Sequence, residues 1–258
     1  MINKRQKSIG GLQMKCRQFY YVVSNFEKNE IFSCGAKFTE FMEFITIKPE
    51  NILLLKSDFG CGKYYQDIGL DYVDSENMKD LINDDVYSYG NFCWIDYKNI
   101  SSLDNMAPTQ LSELLYISHR FKPLYSPHVE CLNNNYLYLA HDDDYWTNIY
   151  MKDICDYKHV IHGKILKELK GRKKHIESLP NDIIDYIFEN SKDGILIDFE
   201  NINFYEGKTS VRIYKLGKNY NYDKIFDVFK RKENFTKTEV YLEYSSRTQK
   251  WSMFSQWK

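Results

Sequence analysis

Apolar residues along this chain come in short bursts whose spacing switches between two residues and three to four, the periods of strands and of helix faces. Phe19 to Val23 is a run of aromatic and β-branched residues, and Ile31 to Cys34 returns after a polar turn at 24–29, so the pair predicts a β-hairpin. Phe38, Phe41, Met42 and Ile45 share one face of a short helix that Pro49 stops. Ile52 to Leu55 is apolar without alternation, the pattern of a strand covered on both faces. A short helix is expected over 75–81, with Ser75 as its N-cap.

Residues 91–150 hold the densest apolar anchors beside the most reactive groups, and the chain is organised around them. Phe92 to Tyr97 reads as a strand. Pro108 fits a first helical position, Gln110 is placed to bond back to the cap, and Leu111, Leu114, Leu115, Ser118 and Phe121 form the helix's inward face. Pro123 and Pro127 end that helix and keep the next segment extended. Tyr136 to Ala140 is a second strand, and His141, Asp142, Asp143 and Asp144 follow at its end. Val160 to Lys174 is a basic helix with Gly171 as a joint inside it, and Pro180 opens a helix with Ile183, Ile184 and Ile187 inward. Strands are expected at Ile195 to Phe199 and Val211 to Leu216, a helix around Ile225 to Phe229, and a closing hairpin of Glu239 to Tyr244 with Trp251 to Phe254. The fold class expected is α+β: a mixed β-sheet with packed helices and a smaller C-terminal α+β region. Residues 1–17 are assigned to a flexible basic tail, 18–170 to the core domain and 171–258 to the C-terminal region, separate or part of the same domain.

Composition changes this picture little. The 258 residues are 43% hydrophobic and 16% aromatic, enough for a substantial core. Lysine and arginine total 35 against 36 acids, so no global field draws the chain to nucleic acid or an anionic membrane. The 22 tyrosines accompany abundant Asn, Lys, Ile and Phe, a mix that AT-rich codons produce as readily as a binding surface does. Ile52 to Leu55 is the longest purely aliphatic run, far below the roughly 20 residues of a spanning helix. The basic N-terminal stretch lacks the apolar region of a signal peptide, and the six cysteines stand singly without a CxxC pair. A cytoplasmic location with no membrane association is expected.

Candidate chemistry centres on His141, Asp142 and Asp143. Imidazole and carboxylates together suit a divalent metal ion, and His119 or His128 could complete the ligand set. The plainer reading has these acids accepting backbone hydrogen bonds in a turn. A His-Asp doublet is the metal-binding element of HD-type metallohydrolases, but there it lies on helices, whereas here it follows a strand. Asp96, among apolar neighbours, is a candidate general acid or base, or else a carboxylate capping a loop. Asp198 and Glu200, two apart on a strand, would share a face as Mg²⁺-holding nuclease carboxylates do, but the acid-x-lysine strand of such enzymes is missing. His159 and His162 could share a helix face. Ser57 to Lys63, with Gly60 and Gly62, has the wrong spacing for a phosphate loop and reads as a glycine turn. Lys164, Lys167, Lys170, Arg172, Lys173 and Lys174 offer a basic stripe for nucleic acid, or simply a solvated face.

Three segments carry a resemblance: Phe92-Cys93-Trp94-Ile95-Asp96-Tyr97, the run Leu111 to His119, and Tyr138-Leu139-Ala140-His141-Asp142-Asp143. Together they resemble an uncharacterised family of Gram-positive bacterial proteins whose members read FCWVDF, AELLYLGH and YLAHDDGW in those places. Some members carry the label oxalate/formate antiporter, a transport role that a chain without a spanning helix contradicts. The resemblance covers residues 19 to about 152. It departs at Asp144, where a glycine is expected, and Trp146 is displaced by one. It implies a cytoplasmic location and no known activity.

These readings converge on a soluble bacterial factor that acts without catalysis by binding another protein, of the regulatory, immunity or defence-accessory kind, with no cofactor. The alternative is a metal-dependent hydrolase in which His141, Asp142 and Asp96 are catalytic, and His141, Asp142, Asp143 and His119 hold the ion. A nucleic-acid-binding accessory role comes third.

Overall fold

A computed structural model of the chain describes residues 18–55, 65–66, 70–84, 86, 92–141, 146–171, 175–231 and 239–255. The elements run β1 (Phe19–Asn25), β2 (Glu30–Cys34), α1 (Phe38–Phe44), β3 (Asn51–Leu54), β4 (Tyr65–Gln66), β5 (Asp71–Val73), α2 (Met78–Asn83) and β6 (Phe92–Tyr97). They continue with α3 (Ser101–Asp104), α4 (Pro108–Arg120), β7 (Tyr136–His141), β8 (Trp146–Met151) and α5 (Tyr157–Lys170). The last are α6 (Asn181–Asn190), β9 (Ile195–Tyr205), β10 (Lys208–Lys215), α7 (Tyr222–Arg231), β11 (Glu239–Ser245) and β12 (Lys250–Ser255). The class is α+β, as the apolar periods imply. The pairings of β3 with β5 and β6, of β7 with β6 and β8, and of β9 to β12 are antiparallel where mixed directions were expected.

The chain divides into two compact units, and both are discontinuous in sequence. One takes Asn25–Ile31 and Lys37–Asp156, the other Met1–Ser24, Phe32–Ala36 and Tyr157–Lys258. β1 and α5 therefore fall with the C-terminal region, on the other side of the boundary expected at 170.

In the unit built on 37–156 the strand order is β8-β7-β6-β3-β5-β4. Every residue of β6 is buried, because helices cover both faces of the sheet. On one face, Trp94 stacks on its cross-strand partner Tyr138, with centroids 5.2 Å apart and planes at 9°. Phe38 and Phe41 of α1 close over them at 4.8 to 6.2 Å from the rings of Phe92, Trp94, Tyr136 and Tyr138. On the other face, Cys93, Ile95, Leu137 and Leu139 pack with Leu53, Leu55, Leu114 and Ile117.

Several local expectations are corrected by hydrogen bonding. Asp74 accepts the amide and side chain of Asn77 at 3.0 and 2.8 Å, so 75–77 form a turn and α2 begins at Met78 rather than at a Ser75 cap. α4 does begin at Pro108, and Gln110 Oε1 accepts the amide of Ala107 at 2.9 Å. Its buried face is Leu114, Ile117 and Ser118, while Leu115, a further 100° round the helix from Leu114, is 45% exposed. Strand β8 escaped the sequence reading, because Thr147 and Asn148 interrupt its apolar pattern. α5 ends at Lys170, so Gly171 terminates the helix instead of jointing it.

The unit containing 157–258 orders its strands β12-β11-β10-β9-β1, with β2 beside β1. β1 pairs with β9 from Phe19↔Asp198 to Val22↔Ile195. On one face α5 meets β1 through a Tyr20–Tyr157 hydroxyl bond of 2.8 Å; on the other, Phe229 of α7 packs 4.9 Å from Phe19. Tyr21 donates to the Gly217 carbonyl at 2.6 Å and accepts the Asn219 amide at 2.8 Å. Gly194 lies beneath that knot with φ +76°. A Cβ there would collide with the Gly217 carbonyl and lie 2.6 Å from the Tyr21 hydroxyl oxygen.

Candidate functional site

His141 is the last residue of β7 and lies opposite Trp146, the first residue of β8. The strand pleat puts it on the same face as Leu137 and Leu139, toward α4. Its imidazole stacks on Trp146 at 3.9 Å and 18°, and Phe121 meets it edge-on at 4.9 Å. Phe121 is held there by the end of α4, where it adopts φ 55° and donates its amide to the Ile117 carbonyl. The imidazole is 8% exposed, and its Nε2 has no hydrogen-bond partner among the described residues. Burial alone pulls its pKa down to about 4, so at neutral pH it is the uncharged base that a metal ion or an acidic hydrogen would engage.

Its expected partners are placed differently. Asp142, Asp143 and Asp144 lie outside the described residues. His119 is exposed on the last turn of α4, two residues before Phe121. His128 is half-buried on the loop after α4, with Nδ1 unpartnered among the described residues; burial and the nearby Lys152 lower its pKa. Asp96 sits at the opposite end of the β6–β7 ladder, beside Tyr136 and five residues along from His141. At about 3.3 Å per residue that separates the two by roughly 16 Å. No group of three or more His, Cys, Asp or Glu with metal-binding proximity occurs among the described residues.

Asp96 is buried and fully engaged. It accepts the Asn135 amide at 2.9 and 3.0 Å, the Asn135 side chain at 3.2 Å and the Tyr136 amide at 2.6 Å, so it fixes the start of β7. Burial pushes its carboxyl above the usual carboxylate range, and these amides offset only part of that rise. A second carboxylate does parallel work unseen from sequence. Asp156 accepts the amide and hydroxyl of Thr46 at 3.0 and 2.6 Å and stands 3.0 Å from the Tyr136 hydroxyl, tying the segment after α1 to β7.

Asp198 and Glu200 do not form a pair. Asp198 Oδ1 accepts the amides of Glu200 and Asn201 at 3.0 and 3.1 Å, and its other oxygen accepts Asn201 Nδ2 at 2.7 Å. These bonds hold a bulge at which the β9–β10 register jumps, so Asp198 is buried while Glu200 faces solvent and meets Lys230 at 3.1 Å. The basic stripe loses its first member: Lys164 is 2% exposed and ion-paired with Glu168 at 3.0 Å. Lys167 and Lys170 are exposed, and Arg172, Lys173 and Lys174 lie outside the described residues, as do Ser57 to Lys63. His162 is anchored structurally, its Nε2 2.9 Å from the Ser178 hydroxyl and accepting the Leu179 amide at 3.3 Å.

One surface was missed. Between Pro123 and Pro127 the chain exposes Leu124 (49%) and Tyr125 (87%), and Leu115 on α4 is exposed as well. Glu113 Oε1 accepts the amides of Leu124 and Tyr125 at 2.7 and 3.2 Å, so this segment is pinned to the helix. The signal in the sequence was the flanking prolines around an apolar Leu-Tyr pair. Compared with protein-family models, curated proteins and solved structures, the chain matches none.

Proposed function

We propose that this chain is a non-enzymatic protein-interaction factor of the regulatory, immunity or defence-accessory kind, acting in the bacterial cytoplasm and related to the Gram-positive family whose motifs it resembles. The observation that carries the reading is the pinned, exposed Leu124–Tyr125 pair. A backbone already fixed adds little ordering cost on binding, and tyrosine is among the residues that dominate interface energies. No helix among the described residues is long and apolar enough to cross a membrane. A photo-cross-linking amino acid placed at position 125 should give one adduct of discrete mass in the native host, and Leu124→Ala should weaken it. An adduct pattern no different from that at Lys218, an exposed control position, would remove the reading.

The second reading, a metal-dependent hydrolase, keeps one specific support: the buried, neutral Nε2 of His141, unpartnered among the described residues. Asp142, Asp143 and His119 would supply the remaining ligands. Near-stoichiometric metal in purified protein, lost in His141→Ala, would promote it. Absence of both metal and thermal stabilisation by Zn²⁺, Mn²⁺ or Mg²⁺ would set it aside.

A further inference from the structure

The outer strands of the unit containing 157–258 have one buried face and one open one. Thr209, Val211, Leu242 and Tyr244 point inward, and Trp251 on their side donates its indole N–H to the Glu177 carbonyl at 3.0 Å. The alternate residues form three rows across β10, β11 and β12. The first row is Arg212, Tyr241 and Phe254, which are directly opposed, with the guanidinium 5.5 Å from the Tyr241 ring centroid. The second is Ser210, Glu243 and Ser252. The third is Lys208 and Lys250 on either side of Ser245, with Tyr205 of β9 next to Lys208.

The chemistry of these rows is specific. Phe254 and Tyr205 are 55% and 65% exposed and offer ring faces at two corners of the surface. Within these rows three cations meet one acid, Glu243, which Lys208 contacts at 2.9 Å, and Arg212 lies opposite Asp198 of β9. The rows that carry cations and rings, the first and the third, are four residues apart, about 13 Å, so they form two separate cation-and-ring ends of the face rather than one basic patch. The middle row carries hydroxyls and a carboxylate, which can accept from and donate to a ribose 2′-hydroxyl.

We propose that this sheet face binds single-stranded RNA, stacking about two or three bases on its rings while Lys208, Arg212 and Lys250 meet the phosphates. This surface is independent of the pinned Leu124–Tyr125 segment and of the basic helix α5.

Fluorescence anisotropy of the full chain with a labelled twelve-nucleotide oligouridylate tests it. Binding is expected with Kd below about 100 μM near 50 mM salt, weakening steeply toward 200 mM, and weaker for the matching oligodeoxyuridylate. The pair Tyr205→Ala and Phe254→Ala, both at exposed positions, should cost at least about tenfold with thermal stability unchanged. Lys208→Gln with Lys250→Gln should lower the salt slope by about 1.4. No binding overturns the proposal, as does a loss no greater than that of Lys167→Gln with Lys170→Gln. Equal affinity for the deoxy oligomer overturns the assignment to RNA. Displacement by polyglutamate as effective as by unlabelled RNA, with no effect of the aromatic pair, would mark the face as a dock for acidic protein segments instead.

Discussion

His141 shows what one side chain can carry when its Nε2 has no hydrogen-bond partner among the described residues. Its folded pKa near 4 lies below the ordinary value of 6.5, so between these pH values the unfolded chain takes a proton that the native imidazole refuses. Stability is therefore fully present above about pH 6.5 and falls as pH drops toward 4, by up to about 3 kcal/mol from this residue. Urea unfolding at pH 7.5 and pH 5 should show about 2 kcal/mol of that loss, and His141→Phe, which keeps an aromatic ring between Trp146 and Phe121, should reduce it. Asp96 is the opposite case, a carboxylate with every described oxygen occupied. Asp96→Asn should cost roughly 2–4 kcal/mol in chemical denaturation, since an amide cannot accept from all three of its donors. Neither environment was legible from sequence. Asp96 sits in an apolar run whether it is a catalytic acid or a loop anchor, and only the amides of Asn135 and Tyr136, some forty residues on, decide between them.

Elements were legible wherever periodicity and terminal chemistry agreed. Pro108 with Gln110 fixed the start of α4, and Pro180 with Ile183, Ile184 and Ile187 fixed α6 and its buried face. Legibility failed where an element depends on partners distant in sequence. β8 has no pattern of its own and exists by pairing with β7, and β9 bends at a bulge that Asp198 builds. Gly194 is of this second kind, because its positive φ and the closeness of Gly217 and Tyr21 come from three separate segments. Gly194→Ala should destabilise by roughly 2–5 kcal/mol, the sum of left-handed backbone strain and overpacking. A lowered thermal midpoint with an otherwise native circular dichroism spectrum would record it. At Glu113, substitution by alanine should abolish amide-exchange protection at Leu124 and Tyr125 while leaving α4 protected.

At the scale of the whole molecule, sequence order misleads about where one unit stops. A fragment of residues 171–258 contains four strands and two helices but lacks β1, which pairs with β9, and α5, whose Tyr157 bonds to Tyr20. Produced alone it should show no cooperative thermal transition, whereas the full chain should.

The pairing of β1 with β9 also sets a clock. Phe19 meets Asp198, a residue made 179 positions later. At about 5–20 residues per second of synthesis, the segment Phe19–Val23 waits roughly 10–35 s for its partner strand. Throughout that interval a run of three aromatic and two β-branched residues, free of charge and proline, is the kind of segment that templates aggregation. Yield in the cell should then depend on how well nascent chains are shielded during translation, more than on the stability of the finished fold.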